Sequence, residues 1–316
     1  MHDVIEKLKS AHSAAVLPHI NEDADALGSC FALSEILRGM GIEAVVYVSE
    51  IPEKRLDFMG GDYEVYDETK TYNHDLCVCL DCADLKRLGS RKKLFDEIGN
   101  TVNIDHHVTN NGYADANCVD GNAAAAGEIL YMLLREMGAG INAKTARFLF
   151  TAICSDTGSF KYGNTSPRTM RIAADLMEYD FDHAEVSRKL FDCRSYNGAM
   201  LCAEVTAGIH SYENGRIRVA AVTDETYKKY NLTAKDAPNL VDIPREIEGT
   251  EIAVCIKHQN GEIRVNLRSN GDADVAKTAL EFGGGGHSRA AGCSMDTDTL
   301  EEAERLIVAS LRKALV

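Results

Sequence analysis

The chain has 316 residues, of which 45% are hydrophobic and 26% charged, and it carries a formal net charge of −15 at pH 7. These values are ordinary for a soluble globular protein, and the length suits two domains better than one. The acidic balance argues against a protein that coats duplex nucleic acid with a broad basic face, although bound cations can still attract a small anionic substrate.

Strand and helix patterns alternate through the first part of the chain. Apolar runs predict strands at residues 13–19, 43–49, 74–81 and 101–107. Helical patterns follow at residues 24–41, 123–138, 142–156 and 165–180. The last of these begins with Ser166 as a candidate N-cap and Pro167 at its first position. The alternation predicts an α/β domain with a mostly parallel sheet and helices on both faces.

The pattern changes beyond residue 185. A helical segment, a strand, a hairpin and a further helix are predicted at residues 184–210, 216–225, 251–270 and 274–283. Asn260 and Gly261 form the hairpin turn between two alternating runs. A glycine run and a final amphipathic helix complete a smaller α+β unit. The predicted organisation is a catalytic domain, a helical linker and a second domain, at residues 1–185, 186–208 and 209–316.

The composition also favours the cytoplasm. A run of about 18 apolar residues would predict a membrane span, and the chain has none. Its N-terminus, MHDVIEKLKS, carries charges of both signs instead of an apolar signal-peptide core. The ten cysteines lie mostly in apolar runs, where a thiol behaves as a small hydrophobe. Cys79 and Cys82 form a Cys-x-x-Cys pair, but a redox or zinc role is disfavoured because no second pair follows.

Side chains that can bind metal follow several of the apolar segments. In an open α/β fold, ligands gather at the carboxyl ends of the strands. One Asp in such a position means little, because Asp is common in turns, but a repeated placement favours a metal site. The side chains concerned are His19, Asp23 and Asp25 after the first strand, Asp81 after the third, Asp105, His106 and His107 after the fourth, and Asp156 at the end of a helical run.

This set of carboxylates and imidazoles suits two divalent ions. Mn²⁺ is the expected metal, and Mg²⁺ or Co²⁺ can use the same ligands. Two ions about 3.5–4 Å apart need a shared carboxylate and several terminal ligands. A loop could aim Asp23 and Asp25 at different ions, and the two cations would neutralise the crowded negative charge around them.

The same motifs resemble those of a known family. HINEDADALGS, LDCAD, IDHH and SDTGSF resemble, in order, the four motifs of the DHH phosphoesterase superfamily. The segment Gly283 to Gly292, GGGGHSRAAG, resembles the glycine-rich signature of the DHHA1 domain. Five ordered motifs cover nearly the whole chain, and their order and the chain length are similar to those of the nano-RNase/pAp-phosphatase type.

The resemblance implies a role for each motif residue. The ligands of two Mn²⁺ ions would be His19, Asp23, Asp25, Asp81, His106 and Asp156. Asp81 would bridge the ions, His107 would contact the scissile phosphate or the leaving group, and Asp105 would orient the neighbouring histidines. Arg268 would bind a substrate phosphate. The far end of the substrate would meet Gly284, Gly285, Gly286 and His287.

Two residues depart from the Pro-Asp-Gly-Asp pattern that the family usually has in its first motif. Glu22 stands in place of Pro, and Ala24 stands in place of Gly. Alanine allows fewer backbone conformations than glycine, but this replacement leaves both Asp ligands in place. We expect Glu22 to be a solvated charge near the ions. Neither change removes a ligand, so an active site is expected.

The second domain concentrates positive charge in an otherwise acidic chain. Its basic side chains include Lys257, His258, Arg264, Arg268, His287 and Arg289. A glycine run lets backbone N–H groups approach phosphate oxygens closely. A flexible linker is the alternative reading of that run, but its position well inside the domain argues against it. For Arg264 alone, a solvated strand face explains the residue at least as well.

The sequence therefore predicts a metal-dependent phosphoesterase that acts by two-metal activation of water. Its expected substrates are short RNA oligonucleotides, degraded to mononucleotides, and 3′-phosphoadenosine 5′-phosphate (pAp), converted to AMP. The preferred substrate, the direction of RNA cleavage and the oligomeric state stay open, with a homodimer among the options.

Three alternatives remain beside that prediction. The same site could serve a phosphodiesterase for linear or cyclic dinucleotides. Family II inorganic pyrophosphatases share the first motifs, but their second domain carries a Ser-Arg-Lys-Lys-Gln signature, and this chain has only Ser-Arg-Lys-Leu at residues 187–190. A module that binds short RNA or a nucleotide without cleaving it is the third alternative, and the complete ligand set argues against it.

Overall fold

The computed structural model describes residues 1–234 and 237–315. The chain folds into two compact units, Met1–Cys193 and Arg194–Val316. None of the helices in the described part of the chain combines the length and the apolar character that a membrane span needs.

A parallel sheet of six strands forms the centre of the first unit. The strands are β1 (Ser13–Leu17), β2 (Glu43–Val48), β3 (Glu64–Val65), β4 (Leu76–Leu80), β5 (Thr101–Asp105) and β6 (Ala116–Val119). They lie in the order β3-β2-β1-β4-β5-β6, and every neighbouring pair is parallel. Strands β4 and β5 are buried along their whole length, as expected for a parallel sheet covered on both faces.

Helices pack on both faces of this sheet and confirm the predicted α/β class. They are α1 (His2–Ser10), α2 (Ala24–Gly39), α3 (Lys92–Ile98), α4 (Ala126–Met137), α5 (Ala143–Asp156), α6 (Pro167–Met177) and α7 (His183–Ser187). Helix α6 begins as predicted, with Ser166 in a capping box and Pro167 at the first position. Helix α1 and the short edge strands β3 and β6 were not predicted, since their apolar patterns are weak.

The second unit is built on a mixed sheet of six strands. Its elements are α8 (Tyr196–Ala207), β7 (His210–Tyr212), β8 (Ile217–Thr223), α9 (Asp224–Lys229), α10 (Asp242–Arg245), β9 (Ile252–Gln259), β10 (Glu262–Ser269), α11 (Val275–Glu281), β11 (Gly285–His287), β12 (Ala290–Met295) and α12 (Leu300–Ala314). The strand order is β11-β12-β10-β9-β8-β7, and β8 pairs with β9 in parallel while the other pairs are antiparallel.

The predicted hairpin is present, and its turn explains the sequence there. Strands β9 and β10 pair along their whole length around Asn260 and Gly261. Both turn residues have a positive φ, of 52° and 79°, which Asn and Gly tolerate best.

The predicted helical segment at 184–210 is interrupted in the structure. After α7 the chain forms a π-helical stretch, Arg188–Asp192, and becomes extended at Cys193. Helix α8 then starts behind a new N-cap, because the Ser195 side chain accepts a hydrogen bond from the Gly198 N–H at 3.0 Å. Leu201 and Val205 of α8 are buried in the core of the second unit. Residues 196–207 therefore pack as part of that unit.

Candidate metal centre

The predicted ligands meet at one edge of the parallel sheet. His19 and Asp25 follow β1, Asp81 follows β4, and His106 follows β5. These three strands are neighbours in the sheet, so their carboxyl ends deliver the side chains to one place. Asp156 arrives from a different direction, as the last residue of α5.

Three overlapping groups of ligand atoms result, and within each group the atoms lie no more than 4.8 Å apart. Asp81 and His106 each belong to two of the groups. The groups are His19, Asp23 and Asp81; Asp25, His106 and Asp156; and Asp81, His106 and His107. We call the first the His19 cluster and the second the His106 cluster.

Asp81 lies between the two clusters. Its Oδ2 is 3.4 Å from Nε2 of His19, and its Oδ1 is 3.3 Å from Nε2 of His106. Its φ of 54° is uncommon for a residue other than glycine, and such strain gathers at functional sites. Among the described residues, the buried Oδ1 accepts no hydrogen bond. A buried, unsatisfied carboxylate oxygen is costly, and a bound cation would satisfy it.

In the His19 cluster, His19 and Asp23 each use one atom to bond the backbone and leave another for the site. Nδ1 of His19 lies 2.7 Å from the carbonyl of Ile20, so it is the atom that donates there. Oδ1 of Asp23 caps α2 by accepting from the Ala26 N–H at 3.0 Å. The remaining atoms, Nε2 of His19 and Oδ2 of Asp23, lie 3.5 Å apart. Such outer contacts fix the orientation of metal ligands.

The His106 cluster is supported by the start of α4. The fully buried carboxylate of Asp25 accepts hydrogen bonds from the N–H groups of Ala126 and Gly127, at 2.7 and 3.0 Å. Nε2 of His106 lies 3.8 Å from Oδ2 of Asp25 and 3.4 Å from Oδ2 of Asp156. The carboxylates thus converge on one imidazole nitrogen.

His107 is held by a buried polar network. Its Nδ1 donates to Oδ1 of Asp105 at 2.8 Å, which places the lone pair of the neutral ring on Nε2. Asn110 donates to the other oxygen of Asp105 at 2.6 Å. Sequence reasoning missed Asn110, because the Asn-Asn-Gly that contains it has the composition of an ordinary turn.

The two cluster histidines have strongly raised pKa values. Burial alone would lower the pKa of an imidazole, but Asp23 and Asp81 raise that of His19 to about 10. Burial opposes the same effect at His106, where Asp81 and Asp25 raise the pKa to about 10. Both rings therefore bind a proton at neutral pH when no metal ion neutralises the carboxylates around them.

The carboxylates show the complementary effect. Burial and the neighbouring Asp81 raise the pKa of Asp25 to about 7. Burial and Asp25 raise the pKa of Asp156 well above its usual range. Like charges that cannot all ionise together need protons or cations to neutralise them. Divalent ions with oxygen and imidazole ligands fit this donor set.

The expectation that Glu22 is solvated is wrong. Its side chain is buried, and Oε1 accepts hydrogen bonds from the N–H and Oγ of Ser49 at 3.0 and 2.9 Å. The same oxygen lies 3.4 Å from Nη1 of Arg91, which is fully buried. The charge of Glu22 is thus paired inside the protein. Ala24 is the first residue of α2, a helical position that needs no glycine.

The Cys-x-x-Cys pair lies in the core. Cys79 and Cys82 are both buried, free thiols. Burial raises the pKa of Cys82 to about 12 and that of Cys79 well above its usual range. A thiolate is the form that reacts or binds zinc, so these cysteines have a packing role.

In the second unit, strand register places Arg268 and His287 on one face of the sheet. Both residues pair with Ala290, Arg268 from β10 and His287 from β11. Residues opposite one another on neighbouring strands share a face, and the two strands flanking β12 are about 10 Å apart. His287 is exposed, while Arg268 is half-buried and donates from Nη1 to the carbonyl of Leu267 at 3.0 Å.

Of the other basic residues, Lys257 and Arg264 share the face of Arg268 by register, whereas His258 lies on the opposite face. His258 is next to Lys257 on β9, and neighbouring residues of a strand point to opposite faces. Arg264 forms an ion pair with Glu262 at 2.8 Å and is largely exposed. For Arg264 the solvated strand face is therefore the better reading.

The glycine run forms an edge strand and the turn that leads into it. A Cβ on Gly284 would lie 2.2 Å from the carbonyl oxygen of Gly292, so close strand packing requires glycine there. Gly286 has a φ of 138°, and a Cβ there would lie 2.5 Å from the carbonyl oxygen of Ala290. Gly285 is exposed and has open space around the position of its Cβ. Close packing thus explains why residues 284 and 286 are glycine. Gly285 has no such constraint, and its exposed backbone is accessible to a ligand.

The chain is similar to known proteins along most of its length. The family model of the DHH family, N-terminal domain, matches residues 13–153, and that of the DHHA1 domain matches residues 214–314. The chain is 30% identical over 292 residues to the bifunctional oligoribonuclease and PAP phosphatase NrnA of Bacillus subtilis (strain 168), an alignment that covers 92% of this chain and 90% of that protein.

Two further comparisons agree with this result. Identity is 29% over 318 residues with the protein of the same name from Thermus thermophilus, covering 100% of this chain and 94% of that one. The crystal structure of an exopolyphosphatase-related protein from Bacteroides fragilis superposes with a TM-score of 0.91. The two chains are 24% identical, and the superposition covers 99% of this chain and 96% of the other. At this identity the likeness shows the fold alone.

Proposed function

Because the chain belongs to the DHH phosphoesterase family and carries a DHHA1 domain, we propose that it uses two divalent ions to hydrolyse short RNA oligonucleotides and pAp. Mn²⁺ is the first choice of metal, since carboxylates and imidazoles are its usual ligands. The observation that carries the proposal is the position of Asp81, whose two oxygens face the His19 cluster and the His106 cluster. The names of the bacterial relatives supply the substrate classes.

Each cluster would hold one ion, and Asp81 would contact both. When bound, the two cations would supply an activated water and neutralise charge on the phosphoryl oxygens. The chain contributes a nearly complete set of oriented ligand atoms, which avoids the cost of ordering them when substrate arrives.

His107 would act on the substrate through Nε2. Its Nδ1 is already engaged by Asp105. As an imidazolium, the ring would donate from Nε2 to a phosphoryl oxygen or to the leaving oxygen, and the carboxylate of Asp105 would stabilise its positive charge. Asn110 keeps that carboxylate in place through its second oxygen.

The DHHA1 domain would bind the nucleotide through the face that bears Arg268 and His287. The guanidinium suits a phosphate oxygen, and Gly285 offers backbone polar groups on an exposed edge strand. This assignment makes Arg268 and His287 binding residues without a role in bond cleavage.

A substrate panel at fixed Mn²⁺ concentration tests the proposal. It contains RNA of two to five nucleotides, a long RNA, pAp, a cyclic dinucleotide and pyrophosphate, each with the wild type and with Asp81→Asn. Rapid loss of short RNA and pAp by the wild type alone is the expected result. Turnover of pyrophosphate or of the cyclic dinucleotide alone would contradict the substrate class, and nucleotide binding without any turnover would contradict catalysis.

A further inference from the structure

We infer that two glutamate–arginine pairs, each with a buried glutamate, position the two metal clusters separately: Glu22–Arg91 the His19 cluster and Glu128–Arg168 the His106 cluster. This inference rests on the proposed two-ion function and adds positioning residues to it. None of the four side chains belongs to the ligand set.

The first pair ties two loops to strand β2. Arg91 is fully buried; its Nη1 donates to the carbonyl of Tyr47 at 2.8 Å, and its Nε donates to the carbonyl of Leu88 at 3.2 Å. Glu22 completes the arrangement, with its carboxylate against Arg91 and against Ser49 just after β2. In the described part of the chain, Glu22 is the only carboxylate paired with Arg91.

Those two loops carry the His19 cluster. Glu22 lies on the segment between His19 and Asp23, while Arg91 ends the segment that begins at Asp81. A backbone hydrogen bond from the Ile20 N–H to the Arg87 carbonyl, at 2.7 Å, joins the same two segments. The pair thus fixes the spacing between the ligands of one cluster.

The second pair organises the loop that leads into α4. Glu128 is fully buried and accepts hydrogen bonds from Nε of Arg168 at 2.5 Å and from Oγ1 of Thr169 at 2.7 Å. Its Oε2 also accepts from the N–H of Ala124 at 3.3 Å. Arg168 reaches Asp120, at the start of this loop, with a bond of 2.8 Å from Nη2.

That loop touches the ligands of the His106 cluster. The carbonyl of Ala123 lies 3.4 Å from Nδ1 of His106, and the N–H groups of Ala126 and Gly127 bind Asp25. Asn164 bridges the same loop to the third ligand, since its Nδ2 donates to the carbonyls of Ala124 and Asp156. Glu128 and Arg168 therefore act on a different cluster from Glu22 and Arg91.

Glu22→Gln keeps the shape of the side chain but leaves the buried Arg91 without its counter-ion. Glu128→Gln removes a buried negative charge from beside Arg168, which keeps Asp120, and puts an NH₂ group in place of an oxygen that accepts hydrogen bonds. Loss of one partner of a buried pair disturbs its surroundings, and loss of such outer contacts typically weakens metal binding roughly 10- to 100-fold. Glu22→Gln should weaken one of the two bound ions by this factor, and Glu128→Gln should weaken the other.

Calorimetric titration of the metal-free, full-length protein with Mn²⁺ measures this directly. Two ligand variants identify the ion affected: His19→Ala retains the His106 cluster, and Asp156→Ala retains the His19 cluster. In the His19→Ala background, Glu128→Gln should lower the affinity for the remaining Mn²⁺ ion roughly 10-fold or more. Glu22→Gln should leave that affinity within about twofold of its value in His19→Ala alone. The Asp156→Ala background should give the reverse pattern.

Two controls separate positioning from folding. Glu304→Gln alters a buried carboxylate of the second unit, which accepts from His210 and Tyr212, and should leave both ions unchanged. Arg168→Met removes both ion pairs of a side chain that is 38% exposed and leaves the buried Glu128 carboxylate without its arginine. It should reproduce the loss of Mn²⁺ affinity caused by Glu128→Gln, while the metal-free protein still unfolds in a single cooperative transition even if its midpoint falls.

Each outcome decides a separate claim. Selective loss of one ion by each variant supports the inference. The inference is overturned if either variant lowers the affinity for both ions equally, or if neither variant lowers the affinity for any ion. The two-ion function stands in both cases. A wild type that binds a single ion overturns the proposed function and the inference with it.

Discussion

Nδ1 of His107 donates a hydrogen bond to Oδ1 of Asp105 across 2.8 Å. Asp105 is the last residue of β5, and His107 follows it by two residues. The Asp105 carboxylate is fully buried, and Asn110 holds its other oxygen. Burial alone would raise the pKa of Asp105, but His107 and Asn110 keep it below its usual value. The carboxylate is thus ionised and fixes one tautomer of His107.

Asp105→Asn should lower kcat roughly 10- to 100-fold with little change in KM, because the ring of His107 loses its orientation and the stabilisation of its charged form. Steady-state kinetics with a dinucleotide RNA measure both constants. Asp115→Asn is the matched control, since the Asp115 carboxylate likewise accepts two hydrogen bonds, from the N–H and Oγ1 of Thr101, but lies outside the centre. Equal kcat values for Asp105→Asn and the wild type would exclude the role proposed for His107.

Metal binding should release protons. With pKa values of about 10, His19 and His106 are both protonated at neutral pH in the metal-free protein. Metal ligands must be neutral imidazoles and ionised carboxylates, so two ions displace about two protons from the histidines and a further share from Asp25 and Asp156, whose pKa values are also raised. Apparent Mn²⁺ affinity therefore rises with pH below the raised pKa values. Titration in buffers of different ionisation enthalpy counts the protons. A count of zero would mean that the metal-free histidines are neutral.

Gly284→Ala should destabilise the second unit by about 1–3 kcal/mol, because the added methyl meets the backbone of β12. Gly285→Ala meets open space and should change stability by less than about 0.5 kcal/mol. Urea unfolding, with hydrogen exchange of the β11 and β12 amides as a local probe, compares the two variants. Equal stabilities would show that packing does not account for Gly284.

Arg268→Gln should raise KM for short RNA and pAp with a smaller effect on kcat, because the residue binds substrate without taking part in cleavage. Arg264→Gln, on the same strand and already paired with Glu262, is the matched control and should leave both constants unchanged. A large fall in kcat with unchanged KM would assign Arg268 to the chemical step instead.

The strand ends could be predicted from the sequence because short apolar runs stop abruptly at polar residues. Asp81 follows the apolar run of β4, and Asp105 closes that of β5. Parallel pairing then makes neighbouring strand ends meet, so the convergence of the ligands follows from the fold class. The edge strands β3 and β6 offered no such run.

The supports of the site could not be predicted in the same way. Glu22 is buried because Arg91, distant in the sequence, lies against it, and its neighbours along the chain suggest a solvated loop. Glu128 is one polar residue of an otherwise apolar helical face, and only the fold reveals Arg168 beside it. Tertiary contacts between distant residues leave no periodic signal in the sequence.

The most direct test of the two-ion centre is anomalous diffraction from crystals of the protein grown with Mn²⁺. A two-ion centre should give two peaks about 3.5–4 Å apart. One peak should be bound by His19 and Asp23, the other by Asp25, His106 and Asp156, with Asp81 contacting both. A single peak, or two peaks that do not share Asp81, would contradict it.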